Sequence, residues 1–309
     1  RDAGEVLGIG PRGIPVVGSL QDALRYDPEV LVIGIAPPGG RLPPTLRRTI
    51  REALERGMDV ISGLHYFLSE DEEFAEEARK RGRRIWDVRK PPANLRVLTG
   101  QVRSVPVPIV TILSTDITSG KNIAVIEMLK EAERRGLSAG FIATGQTTMI
   151  IGADAGATID AIPGDFMAGE VERMILDVAE KKKDLILVEG QGALSHPAFG
   201  NETLAILYGS WPDAIVLCHD PFRTSRDRFP QFALSDPRRE IKMLETVFPE
   251  ARVVAIAVDG YQQTTEDVQK TCDKLERETQ LPCTDPYRFG AAKLLDAVLA
   301  HVNPKHQKA

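Results

Sequence analysis

Apolar residues along this chain fall into two rhythms. Runs such as Val30 to Ile35, Val107 to Leu113, Ala139 to Ala143, Leu185 to Val188, Ile215 to Leu217 and Val253 to Val258 are nearly continuous. That is the pattern of short strands buried on both faces, as in a parallel sheet. Between them lie stretches in which apolar positions recur every three to four residues: 121–135, 166–179, 236–247, 264–279 and 288–302. Strand alternating with helix predicts an α/β fold, doubly wound around a largely parallel sheet. The first ninety residues repeat the theme on a smaller scale. A short helix over 22–26 leads to the strand at Val30, which closes at Pro37-Pro38-Gly39-Gly40. A helix through Glu55 then starts near Pro44, followed by a strand at Val60-Ile61, a charged helix over 70–81 and a strand over 84–88. The long glycine-containing stretch from Gly145 to Ile162 reads as a connection. Pro91-Pro92 places a boundary between a unit of residues 1–95 and one of residues 96–309.

Composition narrows the class. The chain has 309 residues, 42% of them apolar, enough to bury a sizeable core in two domains. Basic and acidic residues number 39 and 44, a net charge of -5 without segregation of sign, so no cationic surface for nucleic acid is expected. No apolar run approaches the length of a membrane span, and no secretion pattern opens the sequence; a cytoplasmic protein with no membrane partner is the expectation. Cys218, Cys272 and Cys283 are odd in number and widely spaced, which argues against a disulfide framework or a zinc site. A homo-oligomer is expected.

The chemistry gathers behind the Val107 to Leu113 run. Ser114-Thr115-Asp116-Ile117-Thr118-Ser119-Gly120-Lys121-Asn122 lies between a strand and a helix, where backbone N–H groups, a lysine and the helix dipole converge on anionic oxygens. It departs from Gly-x4-Gly-Lys-Ser/Thr. Ser114 stands at the outer position in place of the first glycine, and Asn122 offers an amide where a hydroxyl usually meets magnesium. Lys121 is the expected phosphate ligand, supported by Ser114, Thr115, Thr118, Ser119, Gly120 and Asn122. Asp116 either faces the ligand or caps the turn. The superficially similar Gly8-Ile9-Gly10-Pro11-Arg12-Gly13 has no complete strand before it and is interrupted by Pro15, so it reads as a turn.

Two further strand ends are polar. Glu189-Gly190-Gln191-Gly192 closes the Leu185 run, placing a carboxylate where it can hold magnesium beside a phosphate loop. Glu189 and Asp116 are the candidate metal ligands. His196 and Glu189 are candidate general bases. Ser195 beside His196 does not make a hydrolytic triad, and no nucleophile elbow is present. Thr144, Gln146 and Thr147 follow another strand and can orient a carboxylate or amide. Arg223 and Arg226, after Cys218-His219-Asp220-Pro221, can bind a carboxylate or phosphate.

Taken together, Ser114 to Lys121, Ala143 to Thr147, Asp160 to Glu170, Glu189 to Phe199 and Leu217 to Pro221 resemble the DUF1611 family, and the loop with its Asp116 also resembles that of dethiobiotin synthetases. The first resemblance implies a Rossmann-like N-terminal domain before a P-loop domain, and an association with D-glutamate N-acetyltransferases. The second implies ATP and Mg2+ activating a carboxylate substrate. The expected catalytic set is Asp116, Lys121, Glu189 and His196, acting on a small carboxylate or amino acid such as D-glutamate. The leading expectation is an ATP-dependent carboxylate-activating enzyme. Acetyl transfer from acetyl-CoA to D-glutamate, and nucleotide sensing without catalysis, are the alternatives.

Overall fold

The computed structural model describes residues 1–35, 37 and 40–306, with side chains up to Val302. Two of the residues expected to close the first strand, Pro38 and Gly39, lie outside the described residues. The chain divides into two compact units, Arg1–Lys90 and Pro91–Ala309.

The first unit contains α1 (Ala3–Val6), α2 (Leu20–Ala23), β1 (Val30–Ile33), α3 (Pro44–Glu55), β2 (Asp59–Ser62), α4 (Glu72–Arg81) and β3 (Ile85–Asp87). The strands form a parallel sheet in the order β1-β2-β3. Pro44 opens α3, where its missing N–H costs nothing, and Asp71 caps α4 by accepting from the Glu73 N–H. Ile50 and Leu54 of α3 and Phe74 and Ala78 of α4 pack on Ile33 and Val60. The continuous run Val30 to Ile35 predicts a strand buried on both faces, but the strand stops at Ile33. Val30 and Val32 remain 42% and 49% exposed, because α3 and α4 both cover the opposite face of this edge strand.

The second unit runs β4 (Ile109–Ser114), α5 (Lys121–Arg134), β5 (Ala139–Ala143), α6 (Gln146–Ile151), β6 (Ala155–Gly156), α7 (Gly164–Ala179), β7 (Leu185–Glu189), α8 (Gly200–Ser210), β8 (Ala214–His219), β9 (Ser225–Arg226), β10 (Phe229–Ala233), α9 (Pro237–Val247), β11 (Arg252–Val258), α10 (Thr265–Thr279), β12 (Cys283–Thr284), α11 (Pro286–Phe289) and α12 (Ala292–His306). Its main sheet has the order β12-β11-β8-β4-β7-β5-β6, and every pairing in it is parallel. Ala124, Val125 and Met128 of α5 join Leu294, Leu295 and Val298 of α12 on one face. On the other lie Val171, Met174, Ile175 and Val178 of α7, with Leu207 of α8 and Leu244 of α9 in an adjoining cluster. The architecture is the expected doubly wound sheet. No described helix is long and apolar enough to cross a membrane.

Three details differ from the sequence reading. The stretch Gly145 to Ile162 holds α6 and the edge strand β6, so it is structured where a plain connection is expected. The spacing gives no signal for α8, because Thr203, Ile206, Leu207, Gly209 and Ser210 are all buried on a helix that packs closely on α7. A Cβ on Gly209 would lie 2.5 Å from the Ala168 carbonyl oxygen, a measure of how near the two backbones come. The β9–β10 hairpin also carries little apolar periodicity, since β10 is mostly exposed and contains Pro230.

Candidate functional site

Strand β4 is the switch point of the sheet. The chain builds β5, β6 and β7 on one side of it, then crosses to β8 and β11 on the other. Loops after β4, β7 and β8 therefore leave adjacent strand ends, and a ligand site is expected in that crevice. All the residues described below belong to the second unit.

The loop after β4 is pinned at its start, where the Thr115 N–H donates to the Cys218 carbonyl oxygen and the Thr115 hydroxyl meets His219 Nδ1 at 2.8 Å. Thr118 (φ 49°) and Gly120 (φ 82°) adopt the left-handed conformation that folds the loop back toward the start of α5. The glycine does so without a steric cost, whereas the threonine is held there. Its hydroxyl donates to Asp227 Oδ2 at 2.9 Å, and Arg223 Nη2 donates to the Ile117 carbonyl and to Ser119 Oγ. A Cβ on Gly120 would come within 3.3 Å of the Asp259 carboxylate. Ser114 is the last residue of β4; Thr115, five positions before Gly120, is the residue that stands in the first glycine's place.

Lys121, 7% exposed, donates to Ser114 Oγ at 2.8 Å, to the Asp116 carbonyl at 3.2 Å and to the Gly192 carbonyl at 3.4 Å. All three acceptors are neutral. Burial pulls its pKa below the ordinary lysine value, opposed by the more distant charges of Glu189 and Asp116. A buried ammonium without a carboxylate in contact is electrostatically incomplete, and an anion completes it.

Asp116 is fully buried. Its Oδ2 accepts from the Asp227 N–H at 2.8 Å, while Arg226 Nη1 and Arg223 Nη1 each stand 3.4 Å from the carboxylate. His196 Nε2 lies 3.5 Å from Asp116 Oδ1 and makes no hydrogen bond. The imidazole is stacked on Phe199 and met edge-on by Phe229. Its Nδ1 accepts backbone N–H groups from Ala198 and Phe199, at 3.1 and 3.2 Å. Nδ1 is therefore unprotonated, and a neutral ring must carry its proton on Nε2, toward Asp116. Burial, assisted by Arg226 and Lys121, keeps the ring below the usual histidine pKa. Of the two ring nitrogens, Nδ1 is thus engaged by the backbone and Nε2 faces Asp116.

Glu189 ends β7 with no exposure. Its Oε2 accepts from the Thr144 N–H at 2.8 Å, the Gly145 N–H at 3.0 Å and the Thr148 hydroxyl at 2.5 Å. Oε1 is buried and has no hydrogen-bond partner. Burial raises the pKa against the pull of these donors and of Lys121, so the bare oxygen has an enhanced affinity for a proton. Close backbone approach requires the glycines beyond it: a Cβ on Gly190 would sit 2.2 Å from the Ile112 carbonyl oxygen, and one on Gly192 (φ +61°) 2.2 Å from that of Phe199.

The expected substrate residues are only partly gathered. Thr144 contacts Glu189 through its N–H and hydroxyl and receives Gln191 Nε2 at 3.1 Å. Gln146 is half-buried on α6, but Thr147 is exposed, and it is Thr148 that reaches Glu189. Asn122 is half-buried at the start of α5. Of the expected metal pair, Glu189 keeps one unengaged carboxylate oxygen, Oε1. Asp116 is engaged by two arginines and an N–H, Glu189 Oε2 by three donors, and Asn122 supplies an amide in place of a hydroxyl. Among the described residues no group of three or more His, Cys, Asp or Glu is arranged to hold a metal ion.

Sequence reasoning missed Thr148, Asp227 and Glu240. Glu240, on α9, is fully buried and accepts from both the N–H and the hydroxyl of Ser195. Nothing in the spacing signals this contact, because α9 follows the hairpin and reaches the loop only in the folded chain.

A Rossmann-like unit followed by a P-loop unit, with the loop at the switch point of its sheet, defines a two-domain P-loop protein. Residues 1–91 match the model described as "Domain of unknown function (DUF1611_N) Rossmann-like domain" and residues 96–295 the one described as "Domain of unknown function (DUF1611_C) P-loop domain". The chain belongs to the DUF1611 family. A D-glutamate N-acetyltransferase from Tritonibacter scottomollicae is 34% identical over 286 residues, 91% of this chain and 84% of that protein. One from a Pseudoalteromonas species is 31% identical, over 92% of this chain and 84% of its own length. The crystal structure of a DUF1611 family protein from Anabaena variabilis superposes with a TM-score of 0.91 at 38% identity, covering 97% of this chain and 88% of that one.

Proposed function

We propose that this protein transfers an acetyl group from acetyl-CoA to the amine of an acidic amino acid, with D-glutamate as the expected acceptor. The observation that carries the reading is identity of 34% and 31% with two D-glutamate N-acetyltransferases along nine-tenths of the chain. The ATP-dependent alternative has less support, because both of these relatives are named for acetyl transfer.

The geometry supports a division of labour. Lys121 and the helix start behind Gly120 hold the pyrophosphate of CoA, supplying the anion that the buried ammonium lacks. Glu189 Oε1 accepts a proton from the substrate ammonium, freeing the amine to take up the acetyl group. Overall a C–N bond replaces the C–S bond of the thioester, and CoA leaves as its thiol. Arg223, ion-paired to Asp220 and Asp116 and donating to Ile117 and Ser119, braces the phosphate loop, and His196 stands beside Asp116.

The test is release of free CoA thiol from acetyl-CoA in the presence of D-glutamate, L-glutamate, D-aspartate or D-glutamine, each without added metal. Phosphate release from ATP and Mg2+ is followed in parallel. Acetylated D-glutamate forming at a rate unaffected by chelator is the expected result. Phosphate release dependent on an amino acid, with no CoA thiol, would overturn it.

A further inference from the structure

One-step transfer needs a single proton acceptor, yet the site contains a second buried carboxylate with a raised pKa. Glu240 is fully buried on α9, and burial lifts its proton affinity despite hydrogen bonds from Ser195 and the nearby charge of Arg226. Its Oε1 accepts the Ser195 N–H at 3.0 Å, and its Oε2 accepts the Ser195 hydroxyl. Ser195 is half-buried. Arg226 Nη2 donates to Ser195 Oγ at 2.7 Å, and Nη1 of the same guanidinium donates to the Thr115 carbonyl at 3.0 Å and lies 3.4 Å from Asp116. One guanidinium thus spans the serine and the phosphate loop. A hydroxyl donating to a carboxylate of raised basicity, with a cation beside its oxygen, is a nucleophile, a base and an alkoxide stabiliser in contact.

Resting on the acetyl-transfer reading above, we infer that Ser195 carries the acetyl group between donor and acceptor, with Glu240 as its base. Glu240 takes the Ser195 proton as Oγ attacks the thioester carbon. The C–O bond forms, the C–S bond breaks, and the proton passes from Glu240 to the departing thiolate. In the second half-reaction Glu189 receives the ammonium proton and the amine attacks the ester carbon. Ser195 Oγ leaves and recovers a proton from the attacking nitrogen by way of Glu240. No oxidant or other co-reactant is needed. Glu240 thereby serves both half-reactions and Glu189 the second alone.

Intact-protein mass spectrometry after mixing with acetyl-CoA alone tests this. The expected result is one added acetyl group, mapped by peptide sequencing to Ser195 and removed on addition of D-glutamate, with parallel-line kinetics in steady state. Ser195→Ala is expected to lose the adduct and at least about 100-fold in turnover. Glu240→Gln, which keeps hydrogen-bonding capacity toward Ser195, is expected to slow both adduct formation and removal of the acetyl group by about 100-fold. Turnover with intersecting kinetics and no adduct, an adduct on another residue, or a folded Ser195→Ala within tenfold of the parent would overturn the inference while leaving acetyl transfer intact. Absence of both adduct and thiol release with every acceptor would overturn both.

Discussion

Lys121 and Glu189 carry opposite defects: an ammonium surrounded by neutral oxygens and a carboxylate with one bare oxygen. Each is costly in the folded chain and useful toward a ligand. Lys121→Met should weaken acetyl-CoA binding by about 10- to 100-fold, the range of one or two charge-assisted hydrogen bonds, without lowering the melting temperature of the free protein. Calorimetric titration beside thermal unfolding separates the two effects. For Glu189 the pKa is raised on folding, so the native chain binds that proton more tightly than the unfolded chain. Its contribution to stability falls as pH rises from the ordinary glutamate range through the raised native value. Glu189→Gln is therefore expected to melt above the parent at about pH 8 and close to it below the glutamate range, with kcat down by about 100-fold or more. Melting curves across pH, with turnover measured on the same samples, check both halves. Lys121 and Glu189 were legible in the sequence because each sits at a fixed offset from a strand. Thr148 and Glu240 were not, since a one-position choice on α6 and a contact from α9 to the loop after β7 are decided by packing.

At the scale of elements, continuous apolar runs marked the long central strands of the second unit, and Asp71 and Thr264 cap helices whose starts the spacing placed near residues 70 and 264. Legibility failed where polarity and exposure do not run together. Helix α8 shows no polar stripe because Leu204 and Tyr208 are exposed while Thr203 and Ser210 are buried, and β10 shows no alternation because little covers it. Close approach between elements leads to a stability prediction. The Cβ of Gly190→Ala would sit 2.2 Å from the Ile112 carbonyl oxygen, a clash of backbone against side chain where β7 and β4 lie side by side. A loss of about 1–3 kcal/mol in urea unfolding is expected, the usual cost of overpacking a tight interior. Helix α7 also anchors the segment that enters the second unit. Glu172 accepts from the N–H groups of Thr99 and Val102 and from the Thr99 hydroxyl. Glu172→Ala should cost about 1–3 kcal/mol for each N–H left unsatisfied, and hydrogen exchange should show residues 99–102 losing protection first.

The whole molecule joins a Rossmann-like unit to a larger P-loop unit, and the residues that gather around the phosphate loop all belong to the latter. Residues 91–309 produced alone should unfold cooperatively and bind acetyl-CoA within about tenfold of the full chain, an energy difference of roughly 1.4 kcal/mol. Circular dichroism and calorimetric titration would show it, and complete loss of affinity in a folded fragment would assign part of the binding energy to the first unit. The all-parallel pairing of the main sheet has one practical outcome. Because the reactive loops leave one end of the strands, turns at the opposite end, such as that between α7 and β7, are remote from them. A short fluorescent-label tag spliced between Lys181 and Lys182, both exposed, offers a means to follow ligand capture without disturbing the machinery that performs it.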